Sequence, residues 1–262
     1  MKNESIADVT SIFDLTGSVA IVTGGAGALG RSIALGLASF GADVVLSGRT
    51  FSSLESTAGE IEKLGRQALV VAGDTSRKSD VENMVKTTMD KFGKIDILVT
   101  AAGIANRFPA EDFPEEEFSR IMDINVKGTF LSCQAVGKVM KEQGRGKIIT
   151  VSSVRAFAGH PGGYAAYGTS KGAINALTMQ LATEWAKYNI NVNSIAPCIF
   201  WTPLTQQVLE DEKLKQIFLS RIPLGRAAVP GDMTGGVVFL ASQASNFITG
   251  QILYIDGGST AG

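Results

Sequence analysis

Short apolar runs alternate with longer helical patterns along almost the whole chain, and no other feature restricts the possible folds as strongly. The runs predict strands at Val19–Val22, Asp43–Leu46, Ala68–Ala72, Ile97–Val99, Lys147–Val151, Asn191–Ile195 and Leu253–Ile255. Helical periodicity marks Leu54–Leu64, Ser79–Lys91, Val126–Lys141 and Ile174–Lys187, with Gly65, Gly93 and Gly144 as helix stops. Strands that alternate with helices pair in parallel through right-handed crossovers. The pattern therefore predicts an α/β fold, a doubly wound parallel sheet of about seven strands with helices on both faces.

Composition excludes several classes of protein. The chain has 262 residues, of which 45% are hydrophobic, enough for one large domain. Its net charge of −1 offers no basic surface for nucleic acid, so we expect a small-molecule partner. Cys133 and Cys198 lie far apart, which argues against a disulfide scaffold or a metal site. No apolar run reaches the ~18 residues of a membrane span, so we expect a cytoplasmic protein without membrane contact. Met1–Ile12 is expected to be a flexible tail ahead of a single domain, 13–262.

A glycine-rich turn follows the first predicted strand. Val22 leads into Thr23-Gly24-Gly25-Ala26-Gly27-Ala28-Leu29-Gly30, and an amphipathic helix continues to Phe40. Glycines in this context let the backbone approach a pyrophosphate, and the N–H groups at the helix start meet its charge. The alternative is a tight turn with no ligand.

A tyrosine and a lysine stand four residues apart in Tyr167-Gly168-Thr169-Ser170-Lys171, a segment that reads as helix. This spacing puts a phenol and an ammonium on one helix face. A cation favours the phenolate and lowers the pKa of a tyrosine toward the neutral range, where it can act as an acid or base. The alternative is a packed ring beside a solvated charge.

These two motifs together resemble the short-chain dehydrogenase/reductase family, whose nucleotide turn reads Thr-Gly-x-x-x-Gly-x-Gly. Ala28 takes the place of the middle glycine. The resemblance runs from about Phe13 to Gly258. It implies a Rossmann-type domain that transfers a hydride between a nicotinamide cofactor and an alcohol or ketone, in a homotetramer.

The resemblance also assigns roles to single residues. The catalytic set it implies is Asn125, Ser153, Tyr167 and Lys171. Tyr167 would exchange the substrate proton, Ser153 would hold the reacting oxygen, and Asn125 would hold a water linked to Lys171. The cofactor-binding set it implies is Gly24, Ala28, Leu29, Gly30, Arg49, Asp74, Thr75, Ala101, Ala102, Gly103, Tyr167, Lys171, Pro197, Phe200 and Thr202. The family usually has Asn-Asn-Ala-Gly where this chain has Thr100-Ala101-Ala102-Gly103, so other groups must replace the asparagine hydrogen bonds or those bonds are absent. Asp74 has a second reading, an Asx turn at a strand end.

The second predicted strand ends in Ser47-Gly48-Arg49-Thr50, where a dehydrogenase that prefers NAD places an acid. No carboxylate is present, and the Arg49 guanidinium suits a ribose 2′-phosphate. NADP(H) is therefore favoured and NAD(H) is possible. Alternatively, Arg49 stacks on the adenine or is solvated.

The substrate is less well defined by the sequence. Phe13–Gly17 and Ser152–Arg155 resemble the gluconate 5-dehydrogenase branch, which acts on sugar acids and polyols. Acyl-thioester reductases and small-ketone or diketone reductases share the framework, and a nucleotide-sensing regulator would share only the fold and the glycine turn. Residues 198–225 correspond to the family's substrate lid. Candidate substrate residues are Arg155, His160, Tyr164 and Trp201, with Arg107 near the same rim. If strand alternation continues past Val151, Ser153 and Arg155 share one side. Arg155 would pair with a substrate carboxylate or, alternatively, with Glu111 or Asp112. Core packing is the alternative for Phe200 and Trp201.

Overall fold

The computed structural model describes residues 9–202 and 205–261. One sheet of seven parallel strands forms its centre, in the order β3-β2-β1-β4-β5-β6-β7. The strands are β1 Val19–Thr23, β2 Asp43–Gly48, β3 Ala68–Ala72, β4 Ile97–Thr100, β5 Gly146–Val151, β6 Ile190–Pro197 and β7 Ile252–Ile255. The predicted fold class is confirmed, and each predicted strand lies within one of these seven.

Nine α-helices are found in the described residues. They are α1 Ala28–Ser39, α2 Phe51–Lys63, α3 Lys78–Phe92, α4 Glu115–Met122, α5 Gly128–Gln143, α6 Ala165–Trp185, α7 Gln206–Glu210, α8 Glu212–Leu219 and α9 Thr234–Ala241. A π-helical turn, Asp123–Lys127, joins α4 to α5. Gly93 and Gly144 cap α3 and α5 in the left-handed conformation, as their sequence positions predict.

Two hydrophobic layers cover the two faces of the sheet. Helices α1, α2 and α9 pack on one face, where Ile33, Leu54 and Val237 are buried. Helices α3, α5 and α6 pack on the other, where Met84 and Val136 are buried. Since both faces are covered, the strands read as continuous apolar runs rather than as alternating ones.

The chain reverses its direction of winding between β1 and β4. Strand β3 lies at one edge of the sheet, and α3 then carries the chain across β2 and β1 to begin β4. Ligands of open parallel sheets bind in the crevice at the carboxyl ends of the strands beside such a reversal. The carboxyl ends of β1 and β4 carry the glycine turn and residues 101–103, so the predicted site lies where the topology places a crevice.

Two predictions concern segments that the structure describes only in part. Residues 1–8 of the expected tail Met1–Ile12 lie outside the described residues, while Ser11–Phe13 forms a single 3-10 turn. Residues 203 and 204 of the expected lid also lie outside, and α7 and α8 form its described part. None of the described helices is long and apolar enough to cross a membrane.

Candidate active site

The backbone of the glycine turn after β1 lies so close to neighbouring backbone atoms that Gly24 and Gly30 have no room for a side chain. Gly24 has a φ of 69°, and a Cβ there would lie 2.8 Å from the backbone nitrogen of Ala102. A Cβ on Gly30 would lie 2.1 Å from the carbonyl oxygen of Gly24. The glycines therefore hold the first turn of α1 against the loop that follows β4.

The amino end of α1 faces this turn without a side-chain cap. Gly27 is the N-cap residue and makes no side-chain hydrogen bond, and the partly buried Ala28 and Leu29 begin the helix. Helix N-terminal N–H groups that no side chain satisfies attract a phosphate. The methyl group of Ala28 fits the turn, so its departure from the family pattern leaves the cradle intact.

Residues at the ends of β2 and β3 lie beside the same crevice. Arg49 is exposed after β2, close enough to Asp74 to lower the pKa of that carboxyl. Burial alone would raise the Asp74 pKa, but hydrogen bonds from the Ser76 hydroxyl (2.7 Å) and N–H (2.9 Å) outweigh it. Asp74 thus forms the Asx turn that was its alternative reading, and its neighbour Thr75 is buried.

A threonine of β1 contacts the segment that stands where the family usually has two asparagines. The backbone N–H groups of Ala101 and Ala102 donate to the carbonyl oxygen and the hydroxyl of Thr23, at 3.2 and 3.4 Å. Thr100 itself is buried, and its hydroxyl has no partner among the described residues. The loop after β4 is therefore held by β1.

Asn125 is buried in the π-helical turn, and its side chain holds this loop in place. Its Nδ2 donates to the Ile104 carbonyl (2.9 Å) and the Ser170 hydroxyl (3.0 Å), while its Oδ1 accepts from the Ile104 N–H (2.9 Å). A Cβ on Gly103 would lie 3.3 Å from Asn125 Oδ1 and 3.6 Å from Lys171 Nζ. Asn125 therefore connects the loop after β4 to helix α6.

Tyr167 and Lys171 lie on the first two turns of α6, as their spacing predicts. Lys171 Nζ lies 5.6 Å from the Tyr167 ring centroid and donates to the carbonyl oxygen of Val151 at 2.7 Å. Burial lowers the pKa of the Lys171 ammonium from 10.5 to about 8. The ammonium is thus held beside the phenol without a carboxylate partner among the described residues.

The Tyr167 pKa is raised, which differs from the expectation that Lys171 lowers it. Removal of the phenol from water is the largest cause, and the hydrogen bond with Ser153 and the charge of Arg155 oppose it. In this structure the groups that favour the phenolate are therefore Ser153 and Arg155. The protein alone keeps the phenol protonated at neutral pH.

Ser153 and Arg155 reach the site together, but for a reason other than the predicted one. Strand β5 ends at Val151, and Val154–Ala156 forms a 3-10 turn instead of continued strand. The Arg155 N–H donates to Ser153 Oγ at 3.2 Å, and this bond ends the alternation. The turn places both side chains toward one cavity.

This cavity, of about 420 Å³, is what we call the substrate cavity. It is lined by Ala105, Asn106, Arg107, Ser153, Val154, Arg155, Tyr164, Tyr167, Cys198, Ile199, Thr205 and Phe218. The set combines cations with apolar groups. Within the described residues, neither Arg107 nor Arg155 forms an ion pair, and Arg155 Nη1 donates to the carbonyl oxygens of Ala158 (3.3 Å) and Gly159 (3.2 Å). The predicted pairing of Arg155 with Glu111 or Asp112 is therefore not formed.

The segment after β6 corrects one substrate prediction. Trp201 does not line the substrate cavity; the residue is 39% exposed, and its backbone N–H donates to the carbonyl oxygen of Ala228 at 2.7 Å. The Phe200 ring is buried in the core, as its alternative reading states. The Pro197 carbonyl accepts a long bond of 3.5 Å from Ser153 Oγ, and Thr202 is bonded to Thr205. Pro197 therefore borders Ser153, whereas Trp201 is not among the residues that line the cavity.

Asn106, Thr205 and Phe218 are among the cavity-lining residues that sequence reasoning did not name as site residues. Asn106 donates to Glu117, and Phe218 stacks on His160 with ring centroids 5.0 Å apart. Both contacts join distant segments, and neither residue lies in a recognisable motif. The sequence predicted the lid only as the range 198–225, and nothing within that range distinguished Phe218 from its neighbours.

Comparison with known proteins agrees with this geometry. A family model described as "Enoyl-(Acyl carrier protein) reductase", of the short-chain dehydrogenase type, matches residues 24–260. Gluconate 5-dehydrogenase of Gluconobacter oxydans is 38% identical over 95% of this chain and 97% of its own length. The chain belongs to the short-chain dehydrogenase/reductase family. It is an oxidoreductase of that family, whose members in these comparisons are named dehydrogenases and reductases.

Two further relatives support the family assignment. 2-Dehydro-3-deoxy-D-gluconate 5-dehydrogenase of Escherichia coli is 39% identical over 95% of this chain and 98% of its own length. A crystal structure of gluconate 5-dehydrogenase from Burkholderia cenocepacia, in complex with NADP and tartrate, has a TM-score of 0.94 and 33% identity, covering 97% of this chain and 100% of that one. The uncapped amino end of α1 and the glycine turn fit a nicotinamide dinucleotide in this short-chain dehydrogenase.

Proposed function

We propose that this protein is an NADP(H)-dependent oxidoreductase that interconverts a secondary alcohol and a ketone in a sugar acid. The observation that carries the proposal is the convergence on one cavity of Tyr167, Ser153 and two arginines that form no ion pair with any described residue. Several relatives in the comparisons are named for gluconate or its derivatives, which supports the same substrate class. We place the enzyme in the cytoplasm as a homotetramer.

Tyr167 is the general acid and base of the proposed reaction. When bound, the nicotinamide cofactor supplies the hydride acceptor or donor. In the direction of reduction, the protonated phenol gives its proton to the carbonyl oxygen, and in oxidation the phenolate takes it back. The raised pKa of Tyr167 suits the role of proton donor in reduction.

Ser153 and Lys171 support this proton transfer. The Ser153 hydroxyl hydrogen-bonds the phenol and lines the cavity, so it can also donate to the reacting oxygen. Lys171 stands behind the ring, with Gly103 beside it, where its ammonium can bind a cofactor ribose and stabilise a phenolate. Asn125 fixes the loop that carries Gly103, so it positions this arrangement.

The arginines give the cavity its charge preference. The Cζ atom of Arg107 lies over the Tyr164 ring, 5.9 Å from its centroid. Arg155 Nη1 donates hydrogen bonds to two backbone carbonyl oxygens of the following loop. Each guanidinium group carries a positive charge, and no ion pair neutralises it in the described part of the chain. A carboxylate on the substrate would supply the missing counter-charge through bidentate hydrogen bonds. The cofactor preference follows from Arg49, which occupies the place where a carboxylate would select NAD.

The experiment that tests the proposal compares 5-keto-D-gluconate with its methyl ester, which keeps the ketone and removes the negative charge. In the parent enzyme, kcat/KM with NADPH should be higher for the acid. Arg155→Ala should reduce the ratio of acid to ester by about 10- to 100-fold, since a hydrogen bond to a charged group contributes about 1.5–3 kcal/mol. Arg145→Ala is the matched control and should leave the ratio unchanged. Arg145 directly precedes β5, at the amino ends of the strands and therefore on the side of the sheet away from the cavity.

Two results would contradict parts of this proposal. Equal values of kcat/KM for acid and ester in the parent would remove the sugar-acid assignment and favour a small-ketone or acyl-thioester reductase. An absence of turnover with any ketone, alongside tight NADPH binding, would favour a nucleotide-sensing protein instead.

A further inference from the structure

The loop between the Val154–Ala156 turn and helix α6 carries His160, the one histidine of the chain, close to the substrate cavity. The His160 ring stacks on Phe218 of α8, with centroids 5.0 Å apart and planes at 13°. It meets the Tyr164 ring edge to face at 5.5 Å. Since Phe218 and Tyr164 both line the substrate cavity, His160 lies directly behind that lining. It also borders an adjoining cavity of about 560 Å³, which shares Arg107 and Tyr164 with the first.

The two ring nitrogens of His160 have different surroundings. Nδ1 accepts a hydrogen bond of 3.1 Å from the Gly162 N–H, so the proton of the neutral ring is on Nε2. Nε2 is shielded from water and has no hydrogen-bond partner among the described residues. A shielded donor without an acceptor is unfavourable, and an incoming acceptor would remove that cost.

The charged groups around His160 select the kind of acceptor. Burial lowers its pKa first, and the cations Arg155, Arg221 and Arg107 lower it further. Arg155 comes from the preceding turn, Arg107 from the loop after β4 and Arg221 from the segment after α8. Glu111 is the acid that borders the adjoining cavity, and it forms no ion pair with these arginines. A neutral N–H donor with three arginine side chains nearby is placed to donate a hydrogen bond to a negatively charged oxygen.

We propose that His160 is a specificity residue, whose Nε2–H donates a hydrogen bond to the substrate carboxylate at the point where the lid helix α8 rests on the imidazole. The proposal rests on the sugar-acid function proposed above and adds to it a donor that the arginines do not provide. Nε2 is covered, so the carboxylate reaches it only when a covering side chain moves. Phe218, carried by the eight-residue helix α8, is the side chain we assign to this movement.

Two variants separate the donor from the ring. His160→Phe keeps an aromatic ring for the Phe218 stack and removes the Nε2–H. His160→Gln removes the ring and keeps an amide N–H near the position of Nε2. If His160 is a carboxylate donor, His160→Phe should reduce the acid-to-ester ratio of kcat/KM by about 10- to 100-fold, mainly through KM for the acid. His160→Gln should retain most of the ratio, within about fivefold of the parent.

A purely structural role predicts the reverse order. His160→Gln would then be the more damaged variant, with a lower Tm, and each variant would lose acid and ester activity equally. That result would overturn the proposal, as would a parent-like ratio in His160→Phe. The parent enzyme distinguishes this failure from that of the proposed function: a parent ratio near one removes both, whereas a high parent ratio that survives in His160→Phe removes only the role of His160.

Discussion

The Lys171 ammonium donates a hydrogen bond of 2.7 Å to the carbonyl oxygen of Val151, the last residue of β5. This bond connects helix α6, which carries Tyr167, to the carboxyl end of the central sheet. It satisfies one N–H of the ammonium and leaves its charge without a carboxylate partner in the described residues. A buried charge of this kind lowers stability, and a substrate- or cofactor-binding role would explain why it is there.

The pH dependence of stability should show this buried charge. The Lys171 pKa is about 8 in the folded protein, whereas an ordinary lysine side chain in water has a pKa of 10.5. Between these values the unfolded chain binds more protons, so folding stability should rise with pH from about 8 to 10.5. Over that range the parent should gain roughly 3 kcal/mol relative to Lys171→Met. Urea unfolding at several pH values measures the difference, and Lys138→Met, on the exposed side of α5, should behave like the parent. Parallel curves for parent and Lys171→Met would mean that Lys171 is not strained by burial.

The nucleotide preference should depend on Arg49. Arg49→Asp places a carboxylate where we expect the 2′-phosphate, and it offers an acceptor to a ribose hydroxyl. NADPH binding should weaken by about 10- to 100-fold while NADH binding improves. Arg77→Ala is the matched control, because Arg77 also acts on Asp74 but stands at the start of α3. A parent enzyme that already binds NADH more tightly, or an equal loss in Arg77→Ala, would refute this role for Arg49.

Removal of the Asn125 side chain should weaken both the fold and the site. Asn125→Ala deletes three hydrogen bonds and leaves both backbone groups of Ile104 without their partners. We expect a loss of about 1–3 kcal/mol in the free energy of unfolding, measured in urea. Ser170→Ala removes only one of these bonds, so its loss should be smaller. A larger loss of unfolding free energy in Ser170→Ala than in Asn125→Ala would contradict this account, because the two bonds to Ile104 would then contribute little.

Local patterns made the sheet and the placement of Tyr167 and Lys171 on one helix predictable. Short continuous apolar runs distinguish the strands from the helices, which have a longer period. The four-residue spacing of Tyr167 and Lys171 places them on one face of any helix. Helices without a clear period were missed. Helix α9 is apolar on all sides and contains Gly235 and Gly236, and α4 buries only Ile121.

Long-range contacts and local hydrogen bonds account for the other differences. Helix α2 begins at Phe51, three residues before the predicted start. The prediction began at Leu54 because residues 51–53 are exposed and add nothing to the apolar pattern. The Ser153–Arg155 turn depends on a side-chain bond that strand alternation does not reveal. The contact between His160 and Phe218 joins a loop to helix α8, far apart in the chain, and no local pattern encodes it. The direction of the Tyr167 pKa shift likewise depends on burial in the finished fold.

The most direct test of the account is the turnover of Tyr167→Phe. The substitution removes the hydroxyl that Ser153 hydrogen-bonds and leaves a ring that packs in the same place. Tyr164→Phe is the matched control, because it removes a neighbouring phenol that also lines the cavity. With 5-keto-D-gluconate and NADPH, kcat of Tyr167→Phe should fall by about 10²- to 10⁴-fold, with the dissociation constant for NADPH unchanged and Tyr164→Phe affected far less. If Tyr167→Phe kept most of the parent kcat, Tyr167 would not be the proton donor and the proposed mechanism would be wrong.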